Sequence, residues 1–133
     1  MALLARATDP SVDASTAMFA EQISGLVAGE AIDALAACYI KASDGKVYMS
    51  NGTANDAAAK FDGVAAQAAA IGQGVTLFGR GTRVRYGTGQ TIAALYYVAA
   101  TAGRLDTAPT TGGLVAVAKA ISATEIRIVN LVP

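Results

Sequence analysis

Histidine is absent from the 133 residues. This removes the commonest general base, the Ser-His and Cys-His nucleophile pairs, and most zinc and iron sites. The single cysteine, Cys38, cannot build a thiolate cluster or an intrachain disulfide. Set among alternating apolar residues, it reads as a small packed hydrophobe rather than a reactive thiol. The carboxylates are scattered: Asp44 belongs to a turn, Asp9, Asp13 and Glu21 to an N-terminal leader. The others show no pairing suited to glycosidase or two-metal work. Gly72-Gln73-Gly74 and Gly79-Arg80-Gly81 are glycine-rich, yet neither opens a helix nor completes a phosphate-loop pattern, so both read as turns. No catalytic, cofactor-binding or metal-ligating residue is assigned, and the chain is not expected to be an enzyme.

Binding is a different matter. Arg80, Arg83 and Arg85, with Arg104 as a possible fourth member, form a local basic strip, and Tyr39, Tyr48, Tyr86, Tyr96 and Tyr97 supply aromatics. Arginine and tyrosine on an open sheet are able to stack single-stranded nucleic acid. Ten basic residues cancel ten acidic ones, however, so no basic excess favours that partner. Polar contact at a protein interface is the expected use, because both residue types are enriched there. Lys46 beside Asp44-Gly45 has the placement of a carrier lysine on a tight turn, but the residues that a modifying enzyme reads are missing.

These side chains need elements to hold them. Cys38 to Ser50 reads as two strands joined at Asp44-Gly45, a strong hairpin signal. A two-residue turn would pair Ala42 with Val47, Lys41 with Tyr48 and Ile40 with Met49; the alternative is a three-residue loop with Gly45 in a bulge. The two-residue register puts Cys38, Ile40, Ala42, Val47 and Met49 on one face. Tyr39, Lys41, Ser43, Lys46, Tyr48 and Ser50 fall on the other. Tyr96 to Ala108 repeats this pattern 58 positions on without a gap. Upstream, Gly29–Ile32 resembles Gly89–Ile92; downstream, Val64–Leu77 resembles Val117–Ile128. The expectation is an internal duplication of a three-strand unit, about 29–78 and 89–129.

Further strands are expected at Phe61–Gln67, Val75–Phe78, Thr82–Tyr86, Leu114–Ala118 and Glu125–Val129, with Arg83 and Arg85 on one side and Ile126 and Ile128 facing inward. Short strands at turn spacing predict an all-β barrel or sandwich over residues 25–133. Residues 1–24 lack the alternation and read as an N-terminal arm, with a short helix over Ser15–Ile23. Leu3, Leu4, Met18 and Phe19 on that arm must be buried, against their own domain or a neighbouring subunit. The core is rich in alanine, which buries little area, so burial against partners would add stability. Met1–Arg6 lacks the pattern of a signal peptide, and no run reaches the apolar length of a membrane-spanning helix. A soluble protein from a reducing compartment is expected.

Several stretches look like those of tailed-bacteriophage capsid cement (decoration) proteins. They are Gly29-Glu30, Cys38–Ile40, Ser43–Tyr48, Phe61–Ala65, Ala70–Leu77, Gly103–Ala108 and Ala120–Ile128, and the similarity spans about residues 25–130. It lies in strand and turn spacing rather than in a catalytic signature. The resemblance implies a small β-barrel or β-sandwich, often a homotrimer, on the exterior of the virion capsid. Such a protein binds junctions between major capsid protein subunits and stiffens the shell. The alternative is a carbohydrate-binding or receptor-binding module of a phage tail or cell surface, working through Tyr48, Tyr86 and Tyr97.

Overall fold

The computed structural model describes residues 3–4, 6, 10–12, 21–53, 59–87, 90–110, 112–113 and 116–129. Within them the chain is all-β. The strands are β1 (Ser11–Val12), β2 (Gln22–Val27), β3 (Ala37–Ile40), β4 (Val47–Met49), β5 (Gly63–Ala65) and β6 (Gly74–Phe78) in the first half. They continue with β7 (Arg83–Arg85), β8 (Leu95–Val98), β9 (Leu105–Asp106), β10 (Ala118–Ala120) and β11 (Glu125–Ile128). One antiparallel sheet runs β2-β6-β5-β3-β4, and the other runs β7-β11-β10-β8-β9 with β1 added on the β7 edge. The sheets do not close into a barrel; they stack as a sandwich.

The two strand orders are the same order. β2 to β6 correspond one by one to β7 to β11. Nine residues, 28–36 and 86–94, join the first two strands of each sheet. Backbone detail repeats as well. Leu35 and Ala93 take positive φ (57° and 71°) at positions 58 apart, and so do Gly45 and Gly103 (71° and 77°). Leu35 N–H donates to Ala65 O as Ala93 N–H does to Ala120 O; Lys41 N–H donates to Lys46 O as Ala99 N–H does to Arg104 O. The repeating unit thus has five strands, not three. Its first strand escapes sequence comparison because Gln22-Ile23-Ser24-Gly25-Leu26-Val27, with a register shift between Ile23 and Leu26, shares no pattern with Arg83-Val84-Arg85.

Both hairpins keep the expected faces but not the expected turn. Ile40 pairs with Val47 and Cys38 with Met49, two residues out of the predicted register, and the loop holds four residues, Ala42–Gly45. The second hairpin makes the same choice, Val98 pairing with Leu105. Gly45 takes left-handed backbone at the end of the loop, and its N–H donates to Lys41 O at 2.7 Å. A shift by two leaves the faces of Cys38, Tyr39, Ile40, Val47, Tyr48 and Met49 as expected, because side chains alternate with period two, whereas Ala42 and Ser43, expected on the strand, lie exposed in the loop.

Corresponding faces of the two sheets point the same way. Tyr96, Val98, Leu105, Ala120 and Ile126 belong to the large core between the sheets. Their counterparts Cys38, Val47, Ala65 and Leu77 lie in a second, smaller cluster on the far side of the first sheet. That cluster is roofed by Ala28, Ile32, Ala36 and Ala69. The other face of the first sheet (Ala37, Val64, Phe78) meets the large core. Residues in the corresponding places of the second sheet, Leu95, Lys119 and Arg127, are exposed. Stacking is therefore head to tail, front of one sheet on the back of the other. A sheet covered on both faces reads as continuous apolar sequence, and one covered on a single face alternates. β5 is buried at all three residues, whereas β10 alternates buried, exposed, buried.

The arm folds back on its own chain where it is described. Leu4 is buried in the large core, its N–H donates to Leu105 O at 2.9 Å, and Arg104 Nη2 donates to Leu4 O at 3.1 Å. Leu3 forms a bridge with Asp106, and Arg6 pairs with Asp33 at 3.3 Å. β1 zips onto β7. Leu4 is thus a core residue of its own subunit rather than a partner contact, while Leu3 stays 42% exposed. Met18 and Phe19 lie outside the described residues, as does most of the helix expected over 15–23; its end, Gln22-Ile23, is strand. Of the strand expected at Leu114–Ala118, Leu114 and Val115 lie outside the described residues and Ala116 and Val117 precede β10, which is flanked by β8 and β11 with Lys119 pointing outward.

Candidate interaction face

Val84, Ile126, Ala118 and Ala120 point into the core, so their neighbours along β7, β11 and β10 point out. Register sets those neighbours side by side. Arg83 lies opposite Arg127, Arg127 opposite Lys119, and Lys119 opposite Leu95. Arg85 lies opposite Glu125, in the adjoining row. Strands about 4.8 Å apart set the backbones of the three basic residues of the first row within roughly 10 Å of one another. Like charges directly opposite one another destabilise a sheet. Glu125 offsets part of this through an ion pair with Arg83, Nη2 to Oε1 at 2.6 Å.

Two of the predicted strip residues, Arg83 and Arg85, lie on this face. Arg80 is at the exposed turn before β7, where its carbonyl accepts from Glu21 N–H. Arg104 does not join them, because it anchors the arm. Lys119 and Arg127 were not foreseen. Each sits between two inward apolar residues, so the sequence shows that they point out, but only strand order places them beside Arg83. The charge is divided along the chain. Residues 21–78 carry six acids and three bases, net −3, and residues 79–133 carry six bases and two acids, net +4.

Of the tyrosines named for carbohydrate contact, Tyr86 is fully buried and so is closed to any ligand. Tyr48 belongs to the first hairpin and Tyr97 to the second, in different sheets. Tyr48 works locally: its hydroxyl donates to Asp44 Oδ2 at 2.7 Å, and Lys41 Nζ lies 4.9 Å from its ring centroid. That hydrogen bond, with a second from Lys46 N–H, holds the Asp44 carboxyl below its ordinary value. A carboxyl lowered in the folded state contributes stability above its unfolded pKa and loses it as pH falls through the folded one. Tyr48→Phe should therefore move the Asp44 titration up toward 3.8 in a carboxyl NMR titration. An unmoved titration would show that the hydroxyl does not hold it.

Cys38 is fully buried, and burial pushes its thiol up to about 12. This is the packed, unreactive cysteine that the sequence suggested. Among the described residues no three acids, cysteines or histidines cluster as metal ligands, and no helix is long and apolar enough to cross a membrane.

The fold is that of an all-β sandwich of two like five-stranded sheets. No protein-family model and no curated protein matches this chain.

Proposed function

We propose that this protein is a structural cement protein of a tailed-bacteriophage capsid. It binds the exterior of the shell at junctions between major capsid protein subunits and stabilises it, without catalysing a reaction. The observation that supports this most is where the family-like stretches fall. Ser43–Tyr48 ends the first hairpin loop and enters β4, Gly103–Ala108 ends the second loop and carries β9, and Ala70–Leu77 and Ala120–Ile128 supply most of β6 and all of β11. The likeness thus runs through both sheets rather than through one recurrent turn.

The mechanics are those of multivalent clamping. A trimer touching several capsid subunits turns the second and third contacts into intramolecular events, so modest contacts add up to firm attachment. An alanine-rich core of little buried area per residue fits a subunit that gains stability once seated. The deciding experiment mixes the purified protein with expanded shells of the major capsid protein encoded in the same genome and sediments them. Saturable co-sedimentation, with a light-scattering mass near three times 13.3 kDa for the free protein, is the expected outcome. A monomer that ignores shells would overturn the reading.

A further inference from the structure

We infer that the outward face of the second sheet is the surface that docks on the capsid, and that it recognises a carboxylate-bearing protein surface. This rests on the cement-protein reading and names the side of the molecule that carries it out. Three observations converge. The face gathers Arg83, Arg85, Lys119 and Arg127 on three adjacent strands, with Glu125 as its described counter-charge. The corresponding face of the first sheet is Ala37, Val64 and Phe78, packed inside the sandwich. Duplication thus gives two equivalent faces, and the fold has turned one into core and left the other basic and open. Finally, cations directly opposite one another oppose sheet pairing, so fold stability gives no reason to place them there.

The chemistry favours protein carboxylates over phosphate. Arginine forks match carboxylates and phosphates alike in paired hydrogen bonds, so the groups beside these cations decide between the two. Glu125, ion-paired within the face, would repel a nucleic-acid backbone yet can accept from donors on a protein. Leu95, 40% exposed at the end of the cationic row, adds an apolar contact of the kind protein interfaces use. The chain as a whole carries no net charge, so its attraction to an anionic partner is confined to this face.

The test uses Lys119→Glu/Arg127→Glu, two exposed sites whose change should leave the melting temperature near that of the wild type. Lys46→Glu/Lys60→Glu, in the other half of the chain, makes the same change in net charge and serves as control. In shell co-sedimentation the first pair should weaken binding by about tenfold or more, since like charges across an interface cost several kcal/mol, and the control by less than about twofold. Wild-type binding should also fall as salt rises.

Wild-type shell binding that survives Lys119→Glu/Arg127→Glu would overturn the docking face and leave the cement reading standing. Absence of wild-type shell binding would instead overturn the cement reading. The face is then judged on a poly-L-glutamate peptide at low salt, where the double variant must still lose binding and the control must not. Tighter wild-type binding to duplex DNA than to shells, abolished in the double variant, would reassign the face to nucleic acid and overturn the inference. A change in oligomeric mass with unchanged shell binding would overturn it too, by assigning the face to contacts between copies of the chain.

Discussion

Tyr86→Ala should cost about 3–5 kcal/mol of folding stability, the range for removing a large buried aromatic side chain. Tyr86 is 0% exposed in the core between the sheets. A domain of ordinary stability holds about 5–15 kcal/mol in all, so the variant should be close to unfolding at physiological temperature. The denaturant midpoint should fall with the slope unchanged; a loss under about 1 kcal/mol would show that the ring is not wedged there. Tyr86→Phe separates ring from hydroxyl. Among the described residues the hydroxyl has no partner in good hydrogen-bond geometry, the Arg104 side chain and Leu105 backbone lying near it, so its removal should be neutral within about 1 kcal/mol, or stabilising.

Alkaline pH gives an independent check on the same residue. Burial raises the Tyr86 phenol above 10.0, although the Arg6 and Arg104 guanidiniums pull it back. A pKa raised in the folded state means that stability is retained below the unfolded value and lost as pH rises through the folded one. Wild-type protein should therefore lose stability above about pH 10 more steeply than Tyr86→Phe. Equal slopes would place the phenol in solvent.

Gly103→Val should be the more damaging of a matched pair, at about 3–5 kcal/mol, against roughly 1–3 kcal/mol for Gly45→Val. Both glycines have left-handed backbone at the same place in their hairpins, so both variants suffer the conformational strain. A side chain at Gly45 would point into open space. At Gly103 a Cβ would come within 2.7 Å of Met49 Sδ and 3.1 Å of Ala36 Cβ. The second hairpin tip is docked on the first sheet: Gly103 N–H donates to Ser50 O and Ala37 N–H to Gly103 O. Thermal melts of the two variants side by side decide the matter. Equal losses would mean that the tips are not packed differently.

The two predictions share a cause in the repeated strand order of the two sheets. Tyr86 and Ala28 occupy the same place in the two units, each fully buried over the front of its own sheet. One is large because it helps fill the space between the sheets. The other is small because it lies in a close roof over the first. Sequence comparison aligned these connections two residues out, since Gly29–Ile32 and Gly89–Ile92 look alike. The backbone instead matches Leu35 to Ala93, at the spacing of the hairpins.

The all-β class, the two hairpins with their faces and the inward Ile126 and Ile128 were fixed by local rules: period-two alternation, glycine where left-handed backbone is required, and turn residues between apolar runs. Such signals are written in neighbouring residues and need no tertiary contact to be read. The loop length at Asp44-Gly45, the role of β2, the burial of Leu4 and the gathering of Lys119 and Arg127 beside Arg83 were settled only when strands far apart in sequence paired. Strand order is a long-range choice, made by which apolar faces can cover one another, and two sheets with equivalent fronts had to stack in one direction or the other. Stacking front to back buried the first sheet twice over and left the second with a charged exterior.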